Sequence, residues 1–246
     1  MSELLSTKSI PVAERLIVAL DLPSIPEAQA LVEELGDAVV FYKVGMELFM
    51  AGDYFGLIDW LKARGKKVFV DLKFFDVPET VGRAIRALSQ RDVDFATIHG
   101  NDAIMAAAAR EKGTLKILAV TVLTSLDRGD LDDLGFSCDI EALVASRARR
   151  ALALGCDGVI SSGLEVPLLR REVDDKLLVI SPGIRPVENR PADDQKRVVS
   201  VEQAFRNGAD YIVVGRPIRD AGDRRAAALA AQAQIAAVFS SPASDA

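Results

Sequence analysis

The chain has 246 residues, half of them hydrophobic, with a net charge of −6 and a pI near 5.0. This length suits one large domain or two small ones, and barrels of parallel strands reach it as a single unit. The acidic balance, without a basic run interleaved with aromatic residues, argues against a nucleic-acid partner. The apolar run at 16–22 is too short for a signal sequence and contains Asp21. With no longer apolar stretch elsewhere, we expect no membrane partner either.

The two cysteines, Cys138 and Cys156, are far apart in the sequence and far from the single histidine, His99. Neither a CxxC pair nor a cysteine–histidine cluster is present, so the sequence indicates no zinc site and no disulfide framework. We therefore expect a protein of the reducing cytoplasm.

A regular alternation of strand and helix patterns dominates the chain. Short aliphatic runs begin near Leu16, Val39, Lys67, Phe95, Leu115, Gly158, Leu177 and Tyr211. Segments of helical periodicity lie at 26–35, 79–90, 102–112, 140–154, 201–207 and 225–239. Nearly continuous apolar runs, as at 16–20 and 211–214, fit parallel strands covered on both faces.

Eight such units favour an α/β fold with a single (β/α)8 TIM barrel over residues 13–240. The absence of Gly-x-Gly-x-x-Gly after the first run counts against an open dinucleotide-binding sheet. Residues 1–12 are polar and aperiodic and are predicted to be a flexible N-terminal arm, and residues 241–246 a flexible tail.

In such barrels the chemistry lies at the C-terminal ends of the strands. Polar residues fall at these ends on most of the predicted strands, whereas the opposite ends show no comparable set. These residues are Asp21, Lys43, Asp71, Lys73, His99, the segment 121–125, Arg185 and Arg216.

Asp71 and Lys73 are the central pair. They lie two residues apart on one predicted strand and so project from the same face. Such a pair is either a structural salt bridge or part of a site, because many charged pairs only neutralise each other. Asp76, with Pro78 and Glu79, has the pattern of a helix N-cap. It can reach Lys73 only through a loop or from another subunit.

Three other strand ends carry candidates with simpler alternatives. Lys43 lies in an apolar strand, where lysine is rare unless it is paired. Asp21 could cap the next helix, but Ser24 is at least as good a cap, which leaves Asp21 available. His99 is interpreted as a hydrogen-bonded structural residue, because a lone histidine at a strand end is more often structural than catalytic.

Arg185 and Arg216 are candidates for binding a phosphate group. Loops after the seventh and eighth strands of these barrels often hold phosphate, and Gly183 and Gly215 allow close approach of backbone N–H groups. Arginine beside each glycine supplies forked donors for phosphoryl oxygens. The alternative is a pair of solvated surface arginines. The polar stretch 186–199 between them is predicted to be a lid, although it could be a surface insertion.

Six motifs occur in order from the first strand to the eighth: Asp21, KVG at 43–45, DLKFFDVPET at 71–80, VTVLTS at 120–125, SPGIR at 181–185 and GRP at 215–217. Together, over about residues 12–240, they resemble the bacterial type of the orotidine 5′-phosphate decarboxylase family. A lone Asp-x-Lys-x-x-Asp would be less specific, since related phosphate-binding barrels carry it too. One departure is Phe75, where many bacterial relatives have histidine.

The resemblance implies decarboxylation of orotidine 5′-phosphate to uridine 5′-phosphate and CO₂, the last step of de novo pyrimidine nucleotide synthesis. It implies a cytoplasmic homodimer that uses neither cofactor nor metal. The implied catalytic residues are Lys43, Asp71, Lys73 and Asp76, which form an alternating charge network. Within this network, Lys73 protonates C6 of the pyrimidine. The resemblance also implies contacts with the substrate. Asp21 and Lys43 would contact the ribose hydroxyls, Thr124 and Ser125 would lie near the pyrimidine, and Gln195 and Arg216 would bind the phosphate, with Gly215 and Arg185 lining its pocket. Thr80 would be delivered, together with Asp76, by the second subunit.

Two rival functions remain. A metal-dependent sugar-phosphate synthase, decarboxylase or epimerase would need carboxylates or histidines free to hold a cation, whereas here Lys43 and Lys73 would occupy that space. A non-catalytic nucleotide-binding barrel is the other. It is disfavoured because phosphate binding does not need two lysines alternating with two aspartates.

Overall fold

The computed structural model describes residues 4–185 and 198–240 and has the predicted architecture. In this part of the chain, eight parallel strands close into a barrel in chain order, with the first strand paired to the last. The strands are β1 Leu16–Ala19, β2 Phe41–Gly45, β3 Lys67–Phe74, β4 Phe95–His99, β5 Lys116–Val120, β6 Gly158–Ile160, β7 Leu178–Ser181 and β8 Tyr211–Val214. The predicted single (β/α)8 TIM barrel is confirmed, and every strand begins within two residues of its predicted start.

Helices follow the strands and cover the barrel. They are α1 Ile25–Leu35, α2 Met46–Met50, α3 Tyr54–Ala63, α4 Pro78–Ser89, α5 Asp102–Glu111, α6 Arg128–Asp133, α7 Ile140–Ala153, α8 Val166–Glu172, α9 Val201–Arg206, α10 Arg216–Arg219 and α11 Arg224–Ser240. No helix among the described residues is both long and apolar enough to cross a bilayer.

Six of these helices coincide with the predicted periodic segments, namely α1, α4, α5, α7, α9 and α11. The prediction missed α3, although buried Tyr54, Leu57, Ile58 and Leu61 have helical spacing and Asp53 caps its first turn. The sequence therefore contains the signal for α3. The prediction also missed α2, α6, α8 and α10, which have four to seven residues and so offer at most about two turns of periodic pattern, whereas α9, with six residues, lies within the predicted segment 201–207.

Two apolar layers hold the barrel together. The larger one lies between the strands and the helices, and the smaller one fills the barrel interior. In the interior, the rings of Phe41, Phe95 and Tyr211 pack against one another with centroids 5.0 to 6.0 Å apart. Each of these rings comes from the first residue of its strand. The aromatic layer therefore closes the lower half of the barrel and leaves space only at the C-terminal end.

The lower end of the barrel carries a repeated ionic motif. An aspartate precedes each of β4, β6 and β8, and one carboxylate oxygen of each accepts a backbone N–H from the neighbouring strand at 2.8–2.9 Å. The same oxygen pairs with a basic side chain. The three sets are Asp94 with Val68 and Lys62, Asp157 with Ile117 and Lys112, and Asp210 with Val179 and Arg170. The expectation that the lower strand ends carry no comparable charged set is therefore wrong.

The N-terminal segment lies across this lower end. The backbone N–H of Leu4 donates to the carbonyl of Arg206, and Lys8 pairs with Asp210 at 3.2 Å. Ile10 packs against the inner apolar layer. The sequence predicts a flexible arm here, but residues 4–10 make these contacts with the barrel. A polar segment without a periodic pattern gives no sign that its side chains pair with Asp210. The predicted tail at 241–246 lies outside the described residues.

Candidate active site

A cavity of about 310 Å³ opens at the C-terminal end of the barrel. Nine of the candidate residues line it: Asp21, Lys43, Asp71, Lys73, Thr124, Ser125, Arg185, Gly215 and Arg216. Its floor is apolar, with Ala19, Phe69 and Val213 above the aromatic layer. The lid predicted at 186–199 falls largely outside the described residues, and Gln195 falls wholly outside them. The charged side chains of the cavity therefore lie close to its apolar floor.

Four charged side chains alternate along one wall of the cavity. Lys43 Nζ lies 2.9 Å from Asp21 Oδ1 and 3.3 Å from Asp71 Oδ2. Lys73 Nζ lies 2.9 Å from the same Asp71 oxygen. Asp71 and Lys73 share a face of β3, as the strand period predicts. Asp71 is therefore the centre of the array, since both lysines meet at one of its oxygens.

The pKa values of Lys43 and Asp71 favour their charged forms. Burial alone would lower the pKa of Lys43, but Asp71 and Asp21 more than offset this and raise it above its ordinary value. Burial alone would raise the pKa of Asp71, but Lys43 and Lys73 lower it below its ordinary value. Each group thus holds its neighbour in the ionised form at neutral pH.

Gly45 makes room for the pair of Asp21 and Lys43. A Cβ at this position would lie 3.3 Å from Lys43 Nζ and 3.5 Å from Asp21 Oδ1. Asp21 does not cap α1, because Ser24 accepts the Glu27 N–H there and is the N-cap, as predicted. Asp21 is consequently directed at Lys43, and its side chain is 42% exposed to the cavity mouth.

Thr97, which the sequence reasoning missed, touches the array from β4. Its hydroxyl donates to Asp71 Oδ1 at 2.8 Å and accepts the backbone N–H of Lys73 at 3.0 Å. The available signal was strand period, because Thr97 is the polar position between Phe95 and His99 on the face of β4 that points into the barrel. Thr97 is fully buried.

Among the described residues, three arginines that follow β7 and β8 line the cavity: Arg185, Arg216 and Arg219. The sequence reasoning missed Arg219, although it lies one helical turn after Arg216. Arg219 Nη1 donates to the backbone carbonyl of Asp21 at 2.5 Å, and its Nε donates to Asp220 at 2.7 Å. This side chain therefore ties the segment after β8 to the end of β1.

Asp76 and Thr80 do not line the cavity of their own chain. Asp76 is exposed and accepts the N–H of Val77 at 2.6 Å. The N-cap of α4 is Val77, with no side-chain cap bond, so the prediction that Asp76 caps this helix is wrong. Pro78 takes the first helical position, which moves the cap to residue 77.

His99 lies beside the array without lining the cavity. Its ring centroid is 4.7 Å from that of Phe75. Burial, Arg147 and Lys73 together hold the pKa of His99 below its ordinary value. The His99 ring thus packs on Phe75, and its role as a hydrogen-bonded structural residue stays a prediction from the sequence.

Comparison with known proteins assigns the chain to a family. The sequence profile of the orotidine 5′-phosphate decarboxylase / HUMPS family matches residues 14–231. Orotidine 5′-phosphate decarboxylase from Methylococcus capsulatus is 77% identical over 239 residues (97% of this chain, 99% of that protein), and the one from Xanthomonas oryzae pv. oryzae is 52% identical over 237 residues (95% and 97%). The crystal structure of orotidine 5′-phosphate decarboxylase from Lactobacillus acidophilus matches with a TM-score of 0.80 at 36% identity, covering 90% of this chain and 99% of that one. The chain belongs to the orotidine 5′-phosphate decarboxylase / HUMPS family.

Proposed function

We propose that the protein decarboxylates orotidine 5′-phosphate to uridine 5′-phosphate and CO₂, the last step of de novo UMP synthesis. Relatives that carry this name match nearly the whole chain. The observation that carries the proposal is the alternating array of Asp21, Lys43, Asp71 and Lys73 at the wall of the cavity. It offers a fixed negative charge and a proton donor side by side.

The reaction breaks the bond between C6 and its carboxylate carbon. The bonding electron pair stays on C6, and CO₂ leaves as a neutral molecule. Lys73 then donates a proton from its ammonium to C6, and the resulting amine regains a proton from solvent. Asp71 is placed against the substrate carboxylate, and their repulsion falls as the carboxylate loses its charge. Stabilisation that grows toward the transition state is what accelerates a reaction.

No single contact in this array is sufficient. Two unit charges 4 Å apart interact by about 4 kcal/mol at an effective dielectric of 20. Large enzymatic rate enhancements require about 20 kcal/mol of barrier reduction. The remainder comes from binding of the phosphate and ribose, which holds the pyrimidine against Asp71 and Lys73.

The cavity supports this division of roles. Asp21 and Lys43 bind the ribose hydroxyls, Thr124 and Ser125 lie near the pyrimidine, and Arg216 binds the phosphate. Arg185 and Gly215 line the phosphate pocket, whereas the phosphate contact implied for Gln195 and the lid implied for 186–199 fall wholly or largely outside the described residues. Arg185 and Arg216, which follow β7 and β8, and the Asp71 array, which lies at the ends of β1 to β3, line one cavity, and a substrate with both a phosphate and a carboxylate requires cations and a fixed negative charge together.

We further propose a homodimer in which Asp76 and Thr80 complete the site of the partner. Large apolar side chains are exposed on the segments that follow β2 and β3: Met46 at 62%, Met50 at 77%, Phe75 at 66% and Val77 at 63%. These segments follow two strands that pair with each other, and neighbouring exposed apolar side chains mark protein–protein contacts. A second copy that covers this surface would bring Asp76 toward the cavity of its partner. We also propose a cytoplasmic location, because the proposed reaction is a housekeeping step of nucleotide synthesis.

A metal-dependent reaction on a sugar phosphate is the alternative. A cation held by the two carboxylates of the array would need the space between Asp21 and Asp71. Lys43 Nζ occupies that space, within 3.3 Å of both. The position of Lys43 therefore favours decarboxylation by fixed charges over a metal-centred reaction.

The test is ultraviolet monitoring of orotidine 5′-phosphate with purified protein in the presence of excess EDTA. We expect conversion to uridine 5′-phosphate at the same rate with and without the chelator. A protein that left the nucleotide unchanged would contradict the proposed reaction. Loss of conversion on adding EDTA, with recovery on adding Mg²⁺, would support the metal-dependent alternative.

A further inference from the structure

The strand that carries Asp71 and Lys73 is irregular at these residues. Val70 of β3 pairs with Ala96 of β4, and the next pairing is Phe74 with Ile98. Three residues of β3, 71–73, therefore lie opposite the single residue Thr97 of β4. In a regular ladder, only one residue of β3 would lie opposite Thr97. Such a bulge redirects side chains and interrupts backbone pairing, and bulges are frequent next to active sites.

The bulge imposes a strained backbone on Lys73. Its φ is +48°, in the left-handed region that non-glycine residues rarely adopt. The backbone N–H of Lys73 donates to the side-chain hydroxyl of Thr97, at 3.0 Å. A side chain thus takes the place of a strand partner at the residue that holds the reactive ammonium.

The same hydroxyl also fixes the carboxylate of Asp71. Thr97 Oγ1 donates to Asp71 Oδ1 at 2.8 Å, while Oδ2 faces both Lys43 and Lys73. A hydroxyl has one proton to donate and lone pairs to accept, so both contacts of Thr97 are made at once. Threonine is β-branched and stiff at χ1, and this one is fully buried, so the hydroxyl has little freedom to turn elsewhere.

We propose that Thr97 is a positioning residue whose hydroxyl links the backbone of Lys73 to the carboxylate of Asp71 and so sets their relative placement at the reacting carbon. This inference rests on the proposed decarboxylation, since it concerns the same two groups. Thr97 itself does not line the cavity. It acts through its two neighbours, and its loss should slow the chemical step more than it weakens nucleotide binding.

A purely structural hydroxyl would behave differently, and the chain offers a matched control. Thr121 is also fully buried, follows the neighbouring strand β5 and donates its hydroxyl to the carbonyl of Ile160 at 2.9 Å. It touches none of the four charged residues of the array. Thr97→Val and Thr121→Val each remove one buried hydroxyl while keeping the side-chain shape, so any difference in turnover reflects what Thr97 contacts.

The experiment measures kcat, KM and the inhibition constant of uridine 5′-phosphate for wild type, Thr97→Val, Thr97→Ser and Thr121→Val. We expect Thr97→Val to lower kcat by about 10- to 100-fold, because a misplaced reacting group costs this much. KM and the inhibition constant should stay within about 3-fold of wild type, since phosphate and ribose contacts remain. Thr97→Ser should recover most of kcat, and Thr121→Val should retain it.

Three outcomes would overturn the inference. In the first, Thr97→Val has the kcat of wild type. In the second, Thr97→Ser is as slow as Thr97→Val, which would assign the effect to the methyl group. In the third, Thr121→Val loses as much kcat as Thr97→Val. If Thr97→Val does not fold, Thr97→Cys replaces it, because a thiol is a weak donor of similar size. An inactive wild type would refute the proposed reaction itself, and that result is separate from these comparisons.

Discussion

Both ends of the barrel bury a carboxylate among cations, and the two sites differ in what surrounds them. At the lower end, Asp210 accepts from Ser6, Lys8, Arg170 and the backbone of Val179. Its side chain is 0% exposed. Every direction around this carboxylate is filled by a donor of the protein.

At the upper end, Asp71 also meets two cations, but its site is open. Lys43 and Lys73 share one oxygen of Asp71, and all three side chains border the cavity. The Lys73 side chain is 34% exposed. A substrate can therefore approach the ammonium and the carboxylate together, which is impossible at Asp210.

A buried ion pair therefore does not by itself indicate a site. The same residue types stabilise the fold where donors enclose the carboxylate and support chemistry where one side stays open. This difference predicts that equivalent substitutions at the two ends affect different properties.

Lys73→Ala should have the largest effect on turnover. Removing the proton donor is expected to lower kcat by about 1000-fold or more. Lys73 lies at the edge of the cavity, so the barrel should remain folded by circular dichroism. The matched change at the lower end is Lys8→Ala, which should keep kcat within about 2-fold and lower Tm instead. Normal release of CO₂ by Lys73→Ala would remove Lys73 as the donor.

Arg216→Ala tests whether binding energy far from C6 contributes to the reaction. We expect kcat/KM to fall by about 100-fold, because a charge-assisted contact to the phosphate is lost. Arg149→Ala is the control, since Arg149 pairs with Glu172 on the protein surface. Unchanged kcat/KM in Arg216→Ala, measured by the same ultraviolet assay, would contradict the assigned phosphate contact.

Mixing two inactive variants tests the shared site. Asp71→Ala and Asp76→Ala should each be inactive, but after subunit exchange half the dimers are mixed, and each mixed dimer has one intact site. About one quarter of the sites should then recover. The control is either variant taken alone through the same exchange. Absence of recovery, with mixed dimers verified by mass spectrometry, would place each site within one chain.

A smaller effect is expected from pH. The folded protein holds the pKa of Asp71 below its ordinary value. Its contribution to stability is therefore present above the unfolded pKa, about 3.9, and is lost as pH falls through the folded value. The difference in unfolding free energy between wild type and Asp71→Asn should narrow between pH 6 and pH 3 in denaturant titrations. A constant difference over this range would contradict the lowered pKa.

The sequence was sufficient for the fold and for most charged positions of the cavity. Strand period placed Asp71 beside Lys73, and the order of strands placed Asp21, Lys43 and Arg216 at one end. Strand period places Thr97 on the inner face of β4, but no local pattern reveals the bulge in β3 that brings its hydroxyl to Asp71 and Lys73, and Thr97 was therefore missed.

The lower end was missed for a different reason. The partners of Asp210 come from the N-terminal segment and from α8, 202 and 40 residues away in the chain. Local patterns carry no information about such pairings, so the sequence gives no warning of a buried carboxylate there. The cap of α4 was misplaced by one residue, because Pro78 and not Asp76 determines where that helix begins.

The contrast between the two ends is tested most directly by one pair of substitutions, Asp71→Asn and Asp210→Asn, each measured for kcat and Tm. Asp71→Asn should lower kcat by about 100-fold or more and lower Tm by only about 3 °C, because water in the cavity partly solvates the freed lysines. Asp210→Asn should keep kcat near that of wild type and lower Tm by about 10 °C, because it leaves buried Arg170 without its carboxylate. If both variants lost activity and stability to the same degree, the two carboxylates would not have the separate roles assigned to them.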